Sequence, residues 1–259
     1  MFLRHTIRPL ARRRRTPSRR SVRAGPARRL AAALGASVLL VSPGAGFAFE
    51  DLNEAQALIY DRAHLATLSE GDEVVYRYEA ILDGGAPVED TVRLEVQGEP
   101  DEERRDVTLD FLSGERHLIL PSFEGYRGNP VLIAMLEHIS QSLAATSGGG
   151  ALYFRNRIRD GIAGEAAEVE SASMTFGDRD VETTSLAFEP FRGDAYLGAR
   201  PGFGDARFRI VFSDDVPGGV ISVAASSGSS ADAESTGTTS FDYELRLSDA
   251  PRTNREPRP

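Results

Sequence analysis

From Glu73 to Ala80 the side chains alternate, with Val74, Tyr76, Tyr78 and Ala80 on one side and Glu73, Val75, Arg77 and Glu79 on the other. A period of two matches the pleat of a strand, whose successive Cβ atoms point to opposite faces, and not the 3.6-residue period of a helix. The Asp83-Gly84-Gly85 turn sends the chain back as Thr91 to Val96, which predicts a hairpin. Asp106 to Leu112 then places Val107, Leu109 and Phe111 on one side, and Gly114 turns it into Arg116 to Leu120 as a fourth strand. Later runs, Val169 to Phe176, Thr183 to Phe191, Arg207 to Ser213, Val220 to Ala225 and Ser240 to Leu247, carry β-branched or aromatic residues between Gly, Pro and Asp turn signals.

Three segments carry helical spacing instead. Asp51 caps a helix predicted to run to about Leu68, with Leu58, Ile59, Arg62 and Leu65 close to i, i+3, i+4, i+7 spacing. Asn129 caps a second, with Pro130 at its first position and a broad apolar stripe of Val131, Leu132, Met135, Leu136, Ile139 and Leu143. Gly148-Gly149-Gly150 ends it, and Phe154, Ile158 and Ile162 mark one face of a third. A helix, a four-strand meander, two helices and a run of strands predict an α+β fold: a curved antiparallel sheet, half-barrel-like, packed on two or three helices. In this order of elements the chain resembles the half-barrel of periplasmic lipoprotein carriers, which implies a sheet and helices enclosing an apolar ligand cavity. The resemblance is one of architecture, and no motif is matched residue by residue.

Residues 1 to 48 read as an export signal. Eleven Arg and no acid precede the apolar Leu30 to Val41 stretch, then Pro43 and a Gly46-Phe47-Ala48 ending that suits signal peptidase. Twelve apolar residues are far short of the ~20 that a span needs, so no transmembrane segment is expected after cleavage near Ala48. The pair Arg19-Arg20 admits a twin-arginine route, although Val22 stands where that signal favours Phe, and the general secretory route is the default. The expected organisation is a signal over 1–48, one β-rich domain over 49–248 and a disordered Pro/Arg-rich tail over 249–259, with Ser226 to Thr239 as a loop of little apolar content. The expected location is the periplasm of a Gram-negative bacterium or the exterior.

All 39 acids follow residue 48 while eleven of the 30 basic residues precede it, leaving 19 positive and 39 negative charges, a net −20. Such a surface excludes a simple nucleic-acid binder, which presents a basic face to phosphates, and disfavours adhesion to an anionic membrane. With no Cys there is no disulfide, thiolate nucleophile or thiolate metal site, so an apolar core must supply the stability.

Beyond residue 48 the densest positive cluster is Tyr153-Phe154-Arg155-Asn156-Arg157-Ile158-Arg159. On a helix Arg155 and Arg159 share a flank beside Phe154 and Ile158, a pattern that can hold a phosphate or carboxylate head group over an apolar tail. The alternative is that these arginines pair with acids such as Asp160 and Glu165. Gly125-Tyr126-Arg127-Gly128 precedes a helix N-terminus, where backbone N–H groups can receive an anion or simply form a turn and cap. Tyr76 and Tyr78 complete the candidate ligand-binding set of Tyr76, Tyr78, Tyr126, Arg127, Tyr153, Phe154, Arg155 and Arg159. His64, His117 and His138 form no HExxH or i, i+4 pair, so neither a metal nor any other cofactor is expected, and each is expected at a surface or boundary. No GxSxG elbow is present.

These features favour a non-catalytic exported protein binding a lipid or other amphiphile in a pocket lined by Tyr76, Tyr78, Phe111, Leu132 and Phe154. A second reading is an envelope protein-protein interaction or assembly factor with a packed core. A third is an exported hydrolase using paired carboxylates, which requires a cleft and a raised carboxyl pKa.

Overall fold

The computed structural model describes residues 52–101, 103–197, 202–227, 240–248 and 252–253. The segments read as an export signal (1–48) and most of the Ser/Gly-rich loop (228–239) lie outside the described residues, as does Asp51. The described chain is mixed α+β: nine antiparallel strands in series, with a short tenth on β1, form one sheet that does not close into a barrel, with three helices. Helix α1 (Glu54–Tyr60) leads into β1 (Asp72–Leu82), β2 (Val88–Asp101), β3 (Arg104–Phe111) and β4 (Phe123–Tyr126). Helices α2 (Pro130–Ser147) and α3 (Ala151–Ala163) follow, and then β5 (Glu168–Phe176), β6 (Arg179–Phe188), β7 (Arg207–Phe212), β8 (Val220–Ser226) and β9 (Phe241–Leu247).

In space the strands run β4-β3-β2-β1-β9-β8-β7-β6-β5. Two meanders therefore meet at the centre, where β1 pairs with β9 (Tyr76 opposite Leu247, Tyr78 opposite Leu245), and run outward to the edges β4 and β5. The chain has to pass from one edge to the other between β4 and β5, and α2 and α3 make that passage. The strands between the two edges present apolar residues to this face. Tyr76 stands beside Val92 and Leu247, Val223 beside Leu245 and Ile210, and Ile210 beside Leu186. The opposite face of β1 and β9 carries Arg77, Glu79, Glu244 and Arg246. The alternation read in the sequence is thus the division between core and solvent.

Asn129 caps α2 by accepting from the Val131 N–H at 3.0 Å, with Pro130 at the first position, where a missing N–H costs nothing. Gly148 ends the helix at φ 73°, a left-handed turn that favours a residue without Cβ. Phe154, Ile158 and Ile162 of α3 are all buried, as their i, i+4, i+8 spacing predicts. Phe154 packs edge-on to Phe191 (centroids 5.7 Å apart) and 6.1 Å from Phe203, so an aromatic cluster fixes α3 over the β5–β9 half of the sheet.

Two expectations are corrected. The first helix begins from Asn53, whose side chain forms a capping box with Gln56, and stops at Tyr60 rather than near Leu68. Beyond it Leu65 and Leu68 are still buried, but their segment is a loop whose Ala66 and Leu68 carbonyls each accept 2.7 Å bonds from the buried Arg105 guanidinium. An internal donor from β3 does there what the next helical turn would have done, so apolar spacing alone overestimated the helix. The fourth strand is Phe123–Tyr126 rather than Arg116 to Leu120; Gly114–Arg116 form a single 3-10 turn, with Asp90 accepting from Ser113 N–H and Arg116. Tyr126 therefore sits on a strand and not in a turn. Within the tail, the Arg252–Thr253 backbone forms a two-residue strand, β10, against Glu73 and Asp72 of β1.

Candidate functional site

The eight candidate residues fall in three separate places. On α3, Arg155 is held by Glu137 of α2 through two bonds, Nε to Oε2 at 2.6 Å and Nη2 to Oε1 at 2.5 Å. Tyr153 donates its hydroxyl to Asp194 at 2.6 Å, and the Arg157 guanidinium lies 5.7 Å from the Tyr153 ring centroid and 3.7 Å from Asp194. Arg159 reaches outward, 3.9 Å from Asp160, and Phe154 is in the core. At the β4–α2 junction Arg127 lies between Asp61 and Glu103, 2.9 Å from each, while Tyr126 packs edge-on to Phe123. Tyr76 and Tyr78 lie beneath α2. The arginines are not convergent, and each has a carboxylate already beside it, which is the alternative the sequence left open.

A second arrangement, only partly foreseen, joins α2 to the sheet. Three tyrosines of β1 and β9 meet three polar side chains of α2 and its cap. Asn129 Nδ2 donates to Tyr76 Oη at 2.9 Å and to the Gly218 carbonyl at 2.7 Å. Tyr78 Oη and His138 Nε2 are 2.9 Å apart, and Ser142 Oγ and Tyr243 Oη 2.5 Å. The His138 ring stands edge-on to both Tyr78 and Tyr243. Burial lowers the His138 pKa and raises those of all three tyrosines, so this set is uncharged at neutral pH. Asp90 stands opposite Tyr78 on β2, 2.8 Å from the Arg116 guanidinium. Burial pushes its pKa up, but bonds from Arg116 and from the Thr91 and Ser113 N–H groups outweigh this and hold it at about 2. Such a neutral hydroxyl and imidazole set can hydrogen-bond a polar group, but it supplies no activated nucleophile.

Within that set His138 and Ser142 are half-buried. Tyr76, Phe111, Leu132 and Phe154 are 0% exposed and Tyr78 is 3% exposed. Tyr76, Tyr78, Phe111 and Leu132 are thus buried where α2 packs on the sheet, and Phe154 is buried separately among Phe191 and Phe203. Among the described residues no group of three or more His, Asp or Glu is placed to hold a metal, and no helix is long and apolar enough to cross a membrane. Among the acids, Asp242 has a raised pKa, from burial and then from Glu244; it lies exposed on the face of β9 away from the helices.

His64 departs from its expected surface position. It is buried between α1 and the β7–β8 turn, stacked on Phe212 at 5.3 Å, with Nε2–H donating to the Leu58 carbonyl at 2.7 Å. Its Nδ1 has no hydrogen-bond partner and faces Gly219, where an added Cβ would come within 2.7 Å. Burial depresses the His64 pKa to about 4.

The two sheet edges are unlike. β4 is four residues long and pairs irregularly with β3, which blunts it. β5 pairs with β6 over nine consecutive residues without a bulge, and among the described residues nothing pairs with its outer side. Arg179 to Thr183 of β6 extend past the end of β7, which pairs only from Thr184 onward, so β5 and β6 project as a ribbon. Asp215 braces that ribbon by accepting from the Glu182 N–H at 3.2 Å and, through its carbonyl, from Arg179. From Ser171 to Phe176 β5 carries no charge, no Pro and no bulge, the devices by which edges avoid pairing. That uncharged run was the available sequence signal for a docking edge. No protein-family model, curated protein or solved structure matches this chain.

Proposed function

We propose that this chain is an exported, non-catalytic envelope protein that works by protein-protein contact, docking a strand on the outer edge of β5. The observation that carries this reading is that edge: a projecting, regular nine-residue strand with seven of nine side chains exposed and an uncharged second half. An unpaired edge offers a row of N–H and C=O groups that a partner strand satisfies in full. The burial of Tyr76, Phe111 and Leu132 between the sheet and α2 supports it further. The export signal read over residues 1–48 accords with action in the periplasm or beyond. The test is site-specific photo-cross-linking in the native envelope, with the probe at Ala172 or, as control, at Glu244 on the outer face of β9. A defined adduct from position 172 and none from 244 is expected; equal or absent adducts at both refute the reading.

One observation favours a second reading. The hydroxyls of Tyr76, Tyr78 and Tyr243 and the imidazole of His138 sit within an otherwise apolar sheet–helix contact and can receive the polar end of an amphiphile once α2 moves away. In that reading the sheet is a half-barrel and α2 its removable filling. Native mass spectrometry and organic extraction of protein purified from its own envelope decide: a stoichiometric lipid establishes the second reading, and an empty protein removes it.

A further inference from the structure

We infer that the strand docked on β5 is the β5 of a second copy of this chain, the two pairing antiparallel about a two-fold axis through Ala172. This rests on the docking-edge reading above and adds the identity of the partner. The argument is one of register. A symmetric axis at Ala172 pairs all nine residues of Glu168–Phe176: Glu168 faces Phe176, Val169 faces Thr175, Glu170 faces Met174 and Ser171 faces Ser173. No acid then stands opposite an acid. Moving the axis to Glu170 sets that residue against itself, and moving it to Val169 sets Glu168 against Glu170, the direct like-charge opposition that destabilises sheets. The two glutamates thus confine the axis to the uncharged half of the strand, and Ala172 is the position there that uses the whole length.

An axis perpendicular to the sheet also preserves faces, so the residues beside Ala172 that face the same way, Glu170 and Met174, meet their counterparts on one surface. Met174 is 37% exposed and stands opposite the buried Val181 of β6, so pairing covers an apolar side chain now facing solvent. A small residue at the axis suits the closest approach, where facing Cβ atoms come within about 4.5–5.5 Å. The net −20 carried beyond residue 48 makes two copies repel, and salt screens that repulsion over about 10 Å at 0.1 M. Self-pairing therefore strengthens as salt is added, whereas docking of this acidic surface on a basic partner weakens.

The chain has no Cys, so a single introduced thiol reports cleanly. Ala172→Cys in the otherwise unaltered protein, oxidised at micromolar concentration, is expected to give an interchain disulfide, because like residues meet at the axis. Glu168→Cys, which faces Phe176 in the paired strand, is expected to give at least tenfold less. Sedimentation of the unmodified protein is expected to show a dimer that grows with salt, and Ala172→Glu, a substitution on an exposed position that sets two carboxylates face to face, a monomer with an unchanged melting temperature. A monomer at every salt concentration, or equal cross-linking from positions 172 and 168, overturns the proposal. If the protein is monomeric while the photoprobe at Ala172 captures a different envelope protein, self-pairing fails and the docking edge stands; if the probe captures nothing, both fail.

Discussion

Lowering the pH from 7.5 to 5 perturbs His64 more than any other described histidine or carboxylate, because its folded pKa is about 4 against an ordinary 6.5. The unfolded chain takes up a proton below pH 6.5, while the native chain, with this ring stacked on Phe212 and its Nδ1 lacking a partner, does not until about pH 4. Stability is therefore lost as pH falls from 6.5 towards 4 and then levels off. With these two values the loss is about 2 kcal/mol at pH 5 and approaches about 3 kcal/mol below pH 4. For a domain of this size about 2 kcal/mol corresponds to a fall of roughly 4–8 °C in Tm. Asp90, held at about 2, adds its own loss only below its ordinary range near pH 4, so the window from pH 7.5 to 5 isolates the histidines. His138 contributes with the same sign, which makes the informative quantity the difference between the wild type and His64→Gln, where the amide keeps a donor for the Leu58 carbonyl. Thermal melts of both at pH 7.5, 6 and 5 are expected to show a steep wild-type decline and a shallower one in the variant. Parallel declines would refute the burial argument for His64.

Asn129→Ala removes an N-cap and strands the Tyr76 hydroxyl and the Gly218 carbonyl, with an expected loss of about 2–4 kcal/mol in chemical denaturation; a loss below about 1 kcal/mol contradicts the hub assigned to Asn129. Phe154→Ala, at a fully buried ring in contact with Phe191 and Phe203, is expected to cost about 3–5 kcal/mol, and near-neutral behaviour would show that α3 is not anchored there. Arg155→Ala breaks a pair with Glu137 that is partly exposed on both sides, so a change within about 1 kcal/mol is expected in the same assay. Isothermal titration with inorganic phosphate is expected to give no heat from either wild type or Arg155→Ala; phosphate binding lost in the variant would restore the anion-site reading.

Much of the fold was legible because it follows from local rules. The β1 alternation fixed which side chains face inward, and the Asn129-Pro130 start with the Gly148 stop bounded α2 at both ends. The first helix was overextended because buried leucines at helical spacing are equally well buried in a loop whose carbonyls are taken by Arg105, a residue nearly forty positions away. The arginine cluster was legible as residues but not as a site. Whether a guanidinium is available to a ligand depends on which acids the fold brings to it, and Glu137, on the neighbouring helix, reaches Arg155 before any ligand does. His64 looked unremarkable because burial against Phe212 and Gly219 is set by long-range packing.

By itself the sequence determined an antiparallel α+β chain with one apolar face, a core without disulfides, and the length and charge pattern of β5, since these depend on periodicity, composition and turn chemistry within a few residues. The tertiary structure decided that β1 and β9 meet at the centre, that α2 fills the apolar face and draws three tyrosine hydroxyls to its polar side chains, and that β5 rather than β9 is left as an edge. Those outcomes depend on pairings between residues far apart in the chain, as between Tyr76 and Leu247, and strand order at that range is set by how all the elements bury their apolar faces together.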